Sequence, residues 1–318
     1  MNFNLQTMTA SFLKSTSELN LALKTGKRMV GALVLGGLAL VCHAETEITP
    51  RSLYTYSFGG LEDMKPAAVV TLLDDLGYGG IAVESRGEEA LERLEQFYEL
   101  SETTGLEVVS AFTAHRFDKY GFSDAGHRAA IDRLAPHGGT LWLWVRDAKP
   151  DGSITDEKVE SFIRGILEYA ESKGVKLVLY PHCNTYYPTT LEALPLVEKI
   201  NSPSLGIAIN LCHELMSDNG AQLPETFARA QDRLEAVILS GALIELDRTS
   251  VGSMNASTIL SLDESVYDLR PFMQLIKESG FDGPVGMINF KPETEPADYL
   301  SRSMKEWKRL CAEVGLGE

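Results

Sequence analysis

The run "DEKVESFIRGILEYAESKGVKLVLYPHC", residues 156–183, holds one full turn of the pattern that decides the fold. Residues 156–173 read as an amphipathic helix, with Thr155 before it as N-cap and Gly174 after it as C-terminal stop. Residues 175–182 then read as a buried strand, an apolar run that changes character at His182, Cys183 and Asn184. The same alternation recurs in both directions. Strand-like runs fall at 52–58, 80–85, 106–113, 140–147, 175–182, 205–211, 235–241 and 283–290. Helical patterns lie between and after them at 64–76, 88–104, 125–136, 156–173, 189–200, 223–233, 265–279 and 295–313.

Short Val-, Ile- and Leu-rich runs that alternate with helices are buried on both faces, as in a parallel sheet. Eight such units in roughly 250 residues are what a closed (β/α)8 TIM barrel requires. An open doubly wound sheet is the alternative. It would carry a glycine-rich phosphate turn after its first strand, whereas "SFGGLEDM" (57–64) offers only Gly59 and Gly60.

The first 44 residues have a different composition. Lys24, Lys27 and Arg28 precede the apolar run "MVGALVLGGLALV" (29–41), and Ala44 supplies a small residue before "ETEITP". A basic region, a short apolar region and a small residue are the parts of a cleavable signal peptide, and the run is too short to span a bilayer as a helix. The reading is therefore a signal peptide over 1–44 and one barrel domain over 45–318, exported to the periplasm or secreted. Met8 and Met29 are alternative starts, and a lipoprotein acylated at Cys42 ranks second because Val41 is large for that processing.

Residues 1–44 carry four basic residues against one acid, so their removal takes the net charge from −16 to −19. A field of that sign repels phosphate backbones and anionic headgroups, so neither nucleic acid nor a membrane surface is expected as partner. The mature chain keeps Cys183, Cys212 and Cys311, an odd number that leaves at least one free thiol and defines no disulfide framework.

In a TIM barrel the C-terminal strand ends form the catalytic face. Polar residues collect at those ends: Glu84 and Arg86, His115 and Arg116, Arg146 and Asp147, His182, Asn210 with Cys212, His213 and Glu214, Ser240, and Asn289 with Lys291. His182 and His213 are the first candidates for proton transfer, with Glu84 beside them; Arg86, Arg146 and Lys291 are candidates to hold a developing oxyanion. Plainer readings compete. Glu84 has a salt-bridge reading with Arg86, and Cys183 and Cys212 read as buried packing residues, a disulfide or metal thiolates. His127 and His137 fall away from the rim; Tyr186 and Tyr187, together with Trp142 and Trp144, could stack on a sugar, although the tryptophans share one strand face, where packing is expected; 247–258 could be a lid or phosphate cradle but reads by default as a solvated loop.

The run "GVKLVLYPHCN", the Asn-x-x-His of "NLCHE" and the closing "DLRPFMQLIKESGFDGPVGMINF" resemble the xylose isomerase-like TIM barrels, the sugar phosphate isomerase/epimerase group. The resemblance covers nearly the whole mature chain and is firmest over 174–290. It implies a divalent cation at the ends of strands five to eight, held by glutamate, aspartate, histidine and glutamate, the glutamates also serving as acid and base. A second histidine, three residues after the aspartate, contacts substrate oxygens. Here those ligand positions correspond to His182, Asn210, Ser240 and Asn289, and only His213, the substrate-contacting histidine, matches. Neutral amides and a hydroxyl hold magnesium or manganese weakly, whereas a softer site on His182 and His213, with Glu84 or Glu214 as a further ligand, suits zinc or another late transition metal.

The sequence thus points to an exported enzyme acting on a sugar or keto-sugar by proton abstraction next to a carbonyl, whether by isomerisation, epimerisation or keto-glycoside elimination. Asn210, Asn289, Lys291, Arg146, Ser240 and His115 are its expected substrate contacts. The alternative is a catalytically degenerate barrel that binds carbohydrate or supports a partner. A third class, cleavage of DNA at abasic sites, is opposed by the charge, the leader and the missing carboxylates.

Overall fold

The computed structural model describes residues 51–146, 154–290, 292 and 294–317. The strands are β1 (Leu53–Tyr56), β2 (Gly80–Glu84), β3 (Glu107–His115), β4 (Thr140–Val145), β5 (Lys176–Leu179), β6 (Leu205–Asn210), β7 (Leu234–Leu239) and β8 (Val285–Met287). They pair in chain order, all parallel, and β8 returns to β1 through Leu53↔Val285, Tyr54↔Gly286 and Thr55↔Met287. The expected closed barrel is therefore the fold, and the β1–β8 pairing excludes the open sheet. The leader read over 1–44, Asp147 and Lys291 lie outside the described residues.

Each strand is followed by a longer helix: α1 (Pro66–Leu76), α2 (Glu88–Thr104), α3 (Ala125–Leu134), α4 (Asp156–Ser172), α5 (Thr190–Ile200), α6 (Leu223–Ala230), α7 (Arg270–Glu278) and α8 (Pro296–Val314). Thr155 caps α4 as its sequence indicates, its hydroxyl accepting from the Lys158 amide at 3.4 Å, and Gly174 ends the unit at φ +70°. Among the described residues no helix is long and apolar enough to cross a membrane.

The two-residue period of the strands divides the core into two shells. Ile81, Val83, Leu141, Leu143, Leu177, Leu179, Ile207, Ile209, Val237 and Leu239 face outward and pack with the helices. Tyr54, Tyr56, Ala82, Phe112, Trp142, Val178, Tyr180, Ala208, Ala236 and Ile238 fill the lumen. Large aromatic residues from β1, β3, β4 and the end of β5 are accommodated because the facing positions on β2, β6 and β7 are alanines.

Two segments differ from the sequence reading. Residues expected as a solvated loop after β7 contain a helix, Val251–Thr258, because Ser250 caps it at 3.0 Å from the Ser253 amide and Met254, Ser257 and Thr258 are buried. A further short helix, Leu211–Met216, begins where β6 ends.

Gly286 is dictated by the lumen. A Cβ built there meets the Tyr54 ring at 2.1 Å, and that ring is buried against Trp142 with centroids 5.7 Å apart, so it has little room to yield. Gly286→Ala should lower stability by about 1–3 kcal/mol in urea denaturation. Gly165, inside α4, has nothing within 4 Å of the added Cβ; Gly165→Ala should raise stability by about 0.5–1 kcal/mol in the same assay.

Candidate active site at the barrel mouth

The site is built where β5 and β6 stop. After Leu179 the chain stays in register long enough for the Tyr180 amide to donate to Leu143 O at 2.9 Å. Pro181 has no amide to continue the ladder. The His182 amide then donates to Tyr187 O at 3.0 Å, closing a tight turn in which Asn184 takes φ +57°, a left-handed value that asparagine tolerates. At the end of β6, Asn210 Oδ1 accepts from the Cys212 amide at 3.2 Å and so caps the helix Leu211–Met216, which carries His213 in its first turn.

These two strand ends bring the imidazoles face to face: the His182 and His213 rings lie 3.8 Å apart at 32°. The Trp144 indole stacks on His182 at 5.7 Å and 18°, and Tyr180 meets His213 edge-on at 5.9 Å. Together they line a cavity of about 590 Å³, which Phe58, Phe112, Glu84 and Arg86 also border. Glu84 and Arg86 form an ion pair, and the Arg86 guanidinium lies 5.7 Å from the centre of the Trp144 ring. Trp144, which sequence reasoning left to packing, is thus a wall of the pocket. Its alternation with the inward Trp142, like that of Phe58 with Tyr54 and Tyr56, was the available signal.

Burial decides the charge of the imidazoles. It depresses His182 to about 4, with the nearby Arg146 guanidinium pushing the same way and the Cys183 carbonyl opposing. His213 is held well below the usual histidine range, first by burial and then by His182 beside it. Both rings are neutral near pH 7. His182 Nδ1 lies 2.9 Å from Cys183 O, so that nitrogen carries the proton and Nε2 is left with its lone pair. His213 Nδ1 is buried without a protein partner.

The floor is polar, and Tyr56, Tyr180 and Asn210 pair with one another there, whereas the Tyr54 hydroxyl is buried without a partner. Tyr56 Oη donates to Tyr180 Oη at 3.1 Å, and the Asn210 amide donates to the same phenol oxygen. Burial raises both phenols far above their ordinary range, so they stay neutral.

Several expected site residues are placed elsewhere. Ser240 donates to Thr258 O at 2.7 Å and Asn289 Nδ2 to Ser261 Oγ at 2.9 Å, both buried and neither in the cavity lining. Asn210 is spent on Tyr180 and the Cys212 amide. His115 lies one position out of phase with a lumen contact: Phe112 points into the lumen, and three residues on, His115 points the other way. It is buried against Phe162 of α4, with Nδ1 3.0 Å from His127 Nε2 and Nε2 3.0 Å from Gly121 O. Arg146 is exposed and outside the cavity lining. Glu214 turns away, one oxygen accepting from the Thr190 amide at 2.9 Å and hydroxyl at 2.6 Å and the other from Asn219. Tyr186 and Tyr187 pack into the helical shell rather than the pocket. The described cysteines are free thiols; Cys212 donates to Asn210 Oδ1 at 3.1 Å.

For a metal, the four positions that resemble the family's ligand set do not fit a magnesium or manganese ion, because three are neutral and already hydrogen-bonded within the protein. His182, Cys183 and His213 do come together, with donor atoms all within 4.8 Å of one another. Two imidazoles and a sulfur suit a late transition metal.

The chain matches the xylose isomerase-like TIM barrel family over residues 70–310 and belongs to it. No curated protein matches it significantly in sequence. Among solved structures it is similar to the 3-keto-D-glucoside 4-epimerase YcjR from E. coli, at 13% identity and a TM-score of 0.61, covering 83% of this chain and 100% of that one. It is similar to the IOLI protein with a bound zinc atom at 16% identity and a TM-score of 0.65, covering 83% and 98%. A xylose isomerase-like TIM barrel protein from Mycobacterium smegmatis in complex with magnesium matches at 15% identity and a TM-score of 0.59, covering 84% and 98%. Likeness at these identities is a likeness of fold.

The depressed histidines carry a pH signature. The unfolded chain binds a proton at His182 near pH 6.5, but the folded chain does so only near 4. Between those values the unfolded state holds more protons, so stability is full above about pH 6.5 and is lost as pH falls toward 4. Urea midpoints should fall across that window, and His182→Gln should flatten the fall. A ring-proton titration of His182 with a midpoint near 6.5 would contradict the neutral assignment.

Proposed function

We propose that the barrel mouth binds an uncharged keto-sugar or keto-glycoside and moves a proton at the carbon next to its ketone, giving isomerisation, epimerisation or elimination. One observation carries this reading: the neutral imidazole pair, the Glu84–Arg86 pair and the Trp144 face border the same cavity. A sugar ring stacks its apolar face on the indole. Glu84 takes the proton, Arg86 beside it holds the enediolate oxygen as charge develops, and His182 Nε2 accepts a hydrogen bond from a substrate hydroxyl. His213 positions His182 and contacts the substrate, in keeping with its match to the family histidine.

Charge narrows the substrate. The described lining includes Glu62, Asp63, Glu84 and Glu295 against Arg86, four carboxylates to one guanidinium. A phosphorylated sugar is repelled by that balance, while a neutral glycoside is not. The fold-level likeness to a 3-keto-D-glucoside 4-epimerase supports the substrate class. The same proposal has the protein exported through the leader read over 1–44; N-terminal sequencing of the mature protein from a cell-envelope or culture fraction should begin at Glu45, and recovery of intact Met1 there would argue against cleavage.

The chemistry is tested by following a 3-keto-glycoside in deuterated water by proton NMR. The signal of the carbon acid next to the ketone should wash out with the unaltered protein, and Glu84→Gln should slow this by about 10²–10⁴-fold. Binding without exchange would instead favour the degenerate carbohydrate-binding barrel, the reading to which the self-satisfied Asn210, Ser240 and Asn289 lend weight.

A further inference from the structure

We propose that, in the sugar-free protein, His182, Cys183, His213 and Met216 form a binding site for copper(I) at the barrel mouth, which competes with substrate for the His182 Nε2 lone pair. The donors come from two adjacent strand ends. Cys183 Sγ lies 3.0 Å from Met216 Sδ and 4.0 Å from His182 Nδ1. The imidazole centres are 3.8 Å apart. Met216 sits one helical turn after His213, at i and i+3, so the helix Leu211–Met216 presents both to the Cys183 side. An imidazole pair, a thiol and a thioether are soft donors, the set that selects copper over magnesium or calcium.

The nitrogens are prepared for a ligand. His182 directs its Nδ1–H to Cys183 O at 2.9 Å, the outer hydrogen bond that orients a metal-binding histidine and frees its other nitrogen. His213 Nδ1 is buried and meets no protein partner. Cys212, the neighbouring thiol, is not part of the set because its S–H is directed to Asn210 Oδ1 at 3.1 Å.

Charge separates copper(I) from zinc. Copper(I) replaces the Cys183 thiol proton, which leaves to solvent; no electron moves. One cation, one thiolate, two neutral imidazoles and a thioether sum to zero. A zinc ion in the same place leaves one net positive charge on the donor set, and none of the carboxylates that border the cavity belongs to that set. Glu214 is turned to Thr190 and Asn219, and Glu84 is engaged with Arg86. Uncompensated charge away from water is costly, so the neutral assembly is favoured. The ion has a way in, since His182 and His213 border the open cavity.

The test is an anaerobic titration of the purified protein with copper(I), using bicinchoninate as competing chelator and no sugar present, so its outcome is separate from that of the exchange assay. One ion per chain should bind, with a near-ultraviolet thiolate-to-copper band. Cys183→Ser should abolish the band, and Met216→Leu should weaken binding about tenfold or more while circular dichroism stays unchanged. Equal affinity in Cys183→Ser, displacement of copper(I) by equimolar zinc, or no stoichiometric uptake would overturn the assignment. Copper K-edge absorption on the unaltered protein gives a check that no variant's folding affects: a mixed sulfur and nitrogen shell is expected, and a shell of nitrogen and oxygen alone contradicts it.

Discussion

The phenol of Tyr180 is the point on which the barrel mouth depends. Its oxygen receives hydrogen bonds from Tyr56 and from the Asn210 amide, while its ring stacks on Trp142 at 6.0 Å and meets His213 edge-on. A polar group in the lumen is costly unless it finds a partner. Tyr180 supplies one to Tyr56 and one to Asn210, and the NH2 at position 210 donates where a carboxylate could not. The same contacts set the height at which His182 and His213 face each other.

A neutral floor has consequences for the groups above it. With no anion beneath them, the imidazoles have only the Cys183 carbonyl, at His182, to favour a protonated form, and burial outweighs it and keeps both uncharged. Neutral imidazoles beside a thiol and a thioether favour soft cations, whereas the carboxylates that would attract a hard one are at the rim or turned outward. Proton transfer, if it falls to a carboxylate, falls to Glu84, which borders the cavity with Arg86 and Trp144. The site therefore separates two chemistries in one pocket, soft donors at the β5–β6 side and an ion pair at the β2 side.

The barrel could be read from the chain because each strand run is apolar on both faces and each helix is punctuated by residues such as Thr155 and Gly174. Boundaries drifted at the C-terminal strand ends, where Tyr180, Pro181 and His182 continue an apolar pattern after the ladder has stopped. His182 and His213 were identifiable because both follow strands in adjacent units. His115 could not be placed from the sequence, which shows that it ends a strand but not which way it points; it stands three residues from Phe112, an odd step that puts it outside. Asn210, Ser240 and Asn289 stand at strand ends, yet their hydrogen bonds to Tyr180, Thr258 and Ser261 come from segments distant in the chain. Met216 gave no signal without knowing that 211–216 is a helix, although Asn210 at its start is a good N-cap.

The account's central claim is that the β5–β6 side of this mouth offers neutral, soft donors at the positions where the family resemblance implies a hard-cation site. Electron paramagnetic resonance of manganese(II) added to the metal-free protein measures this directly. The six-line signal of the free ion should persist undiminished at equimolar protein, and should be quenched once Asn210→Asp, Ser240→His and Asn289→Glu are combined with His182→Glu. Stoichiometric quenching by the unaltered chain would contradict the claim.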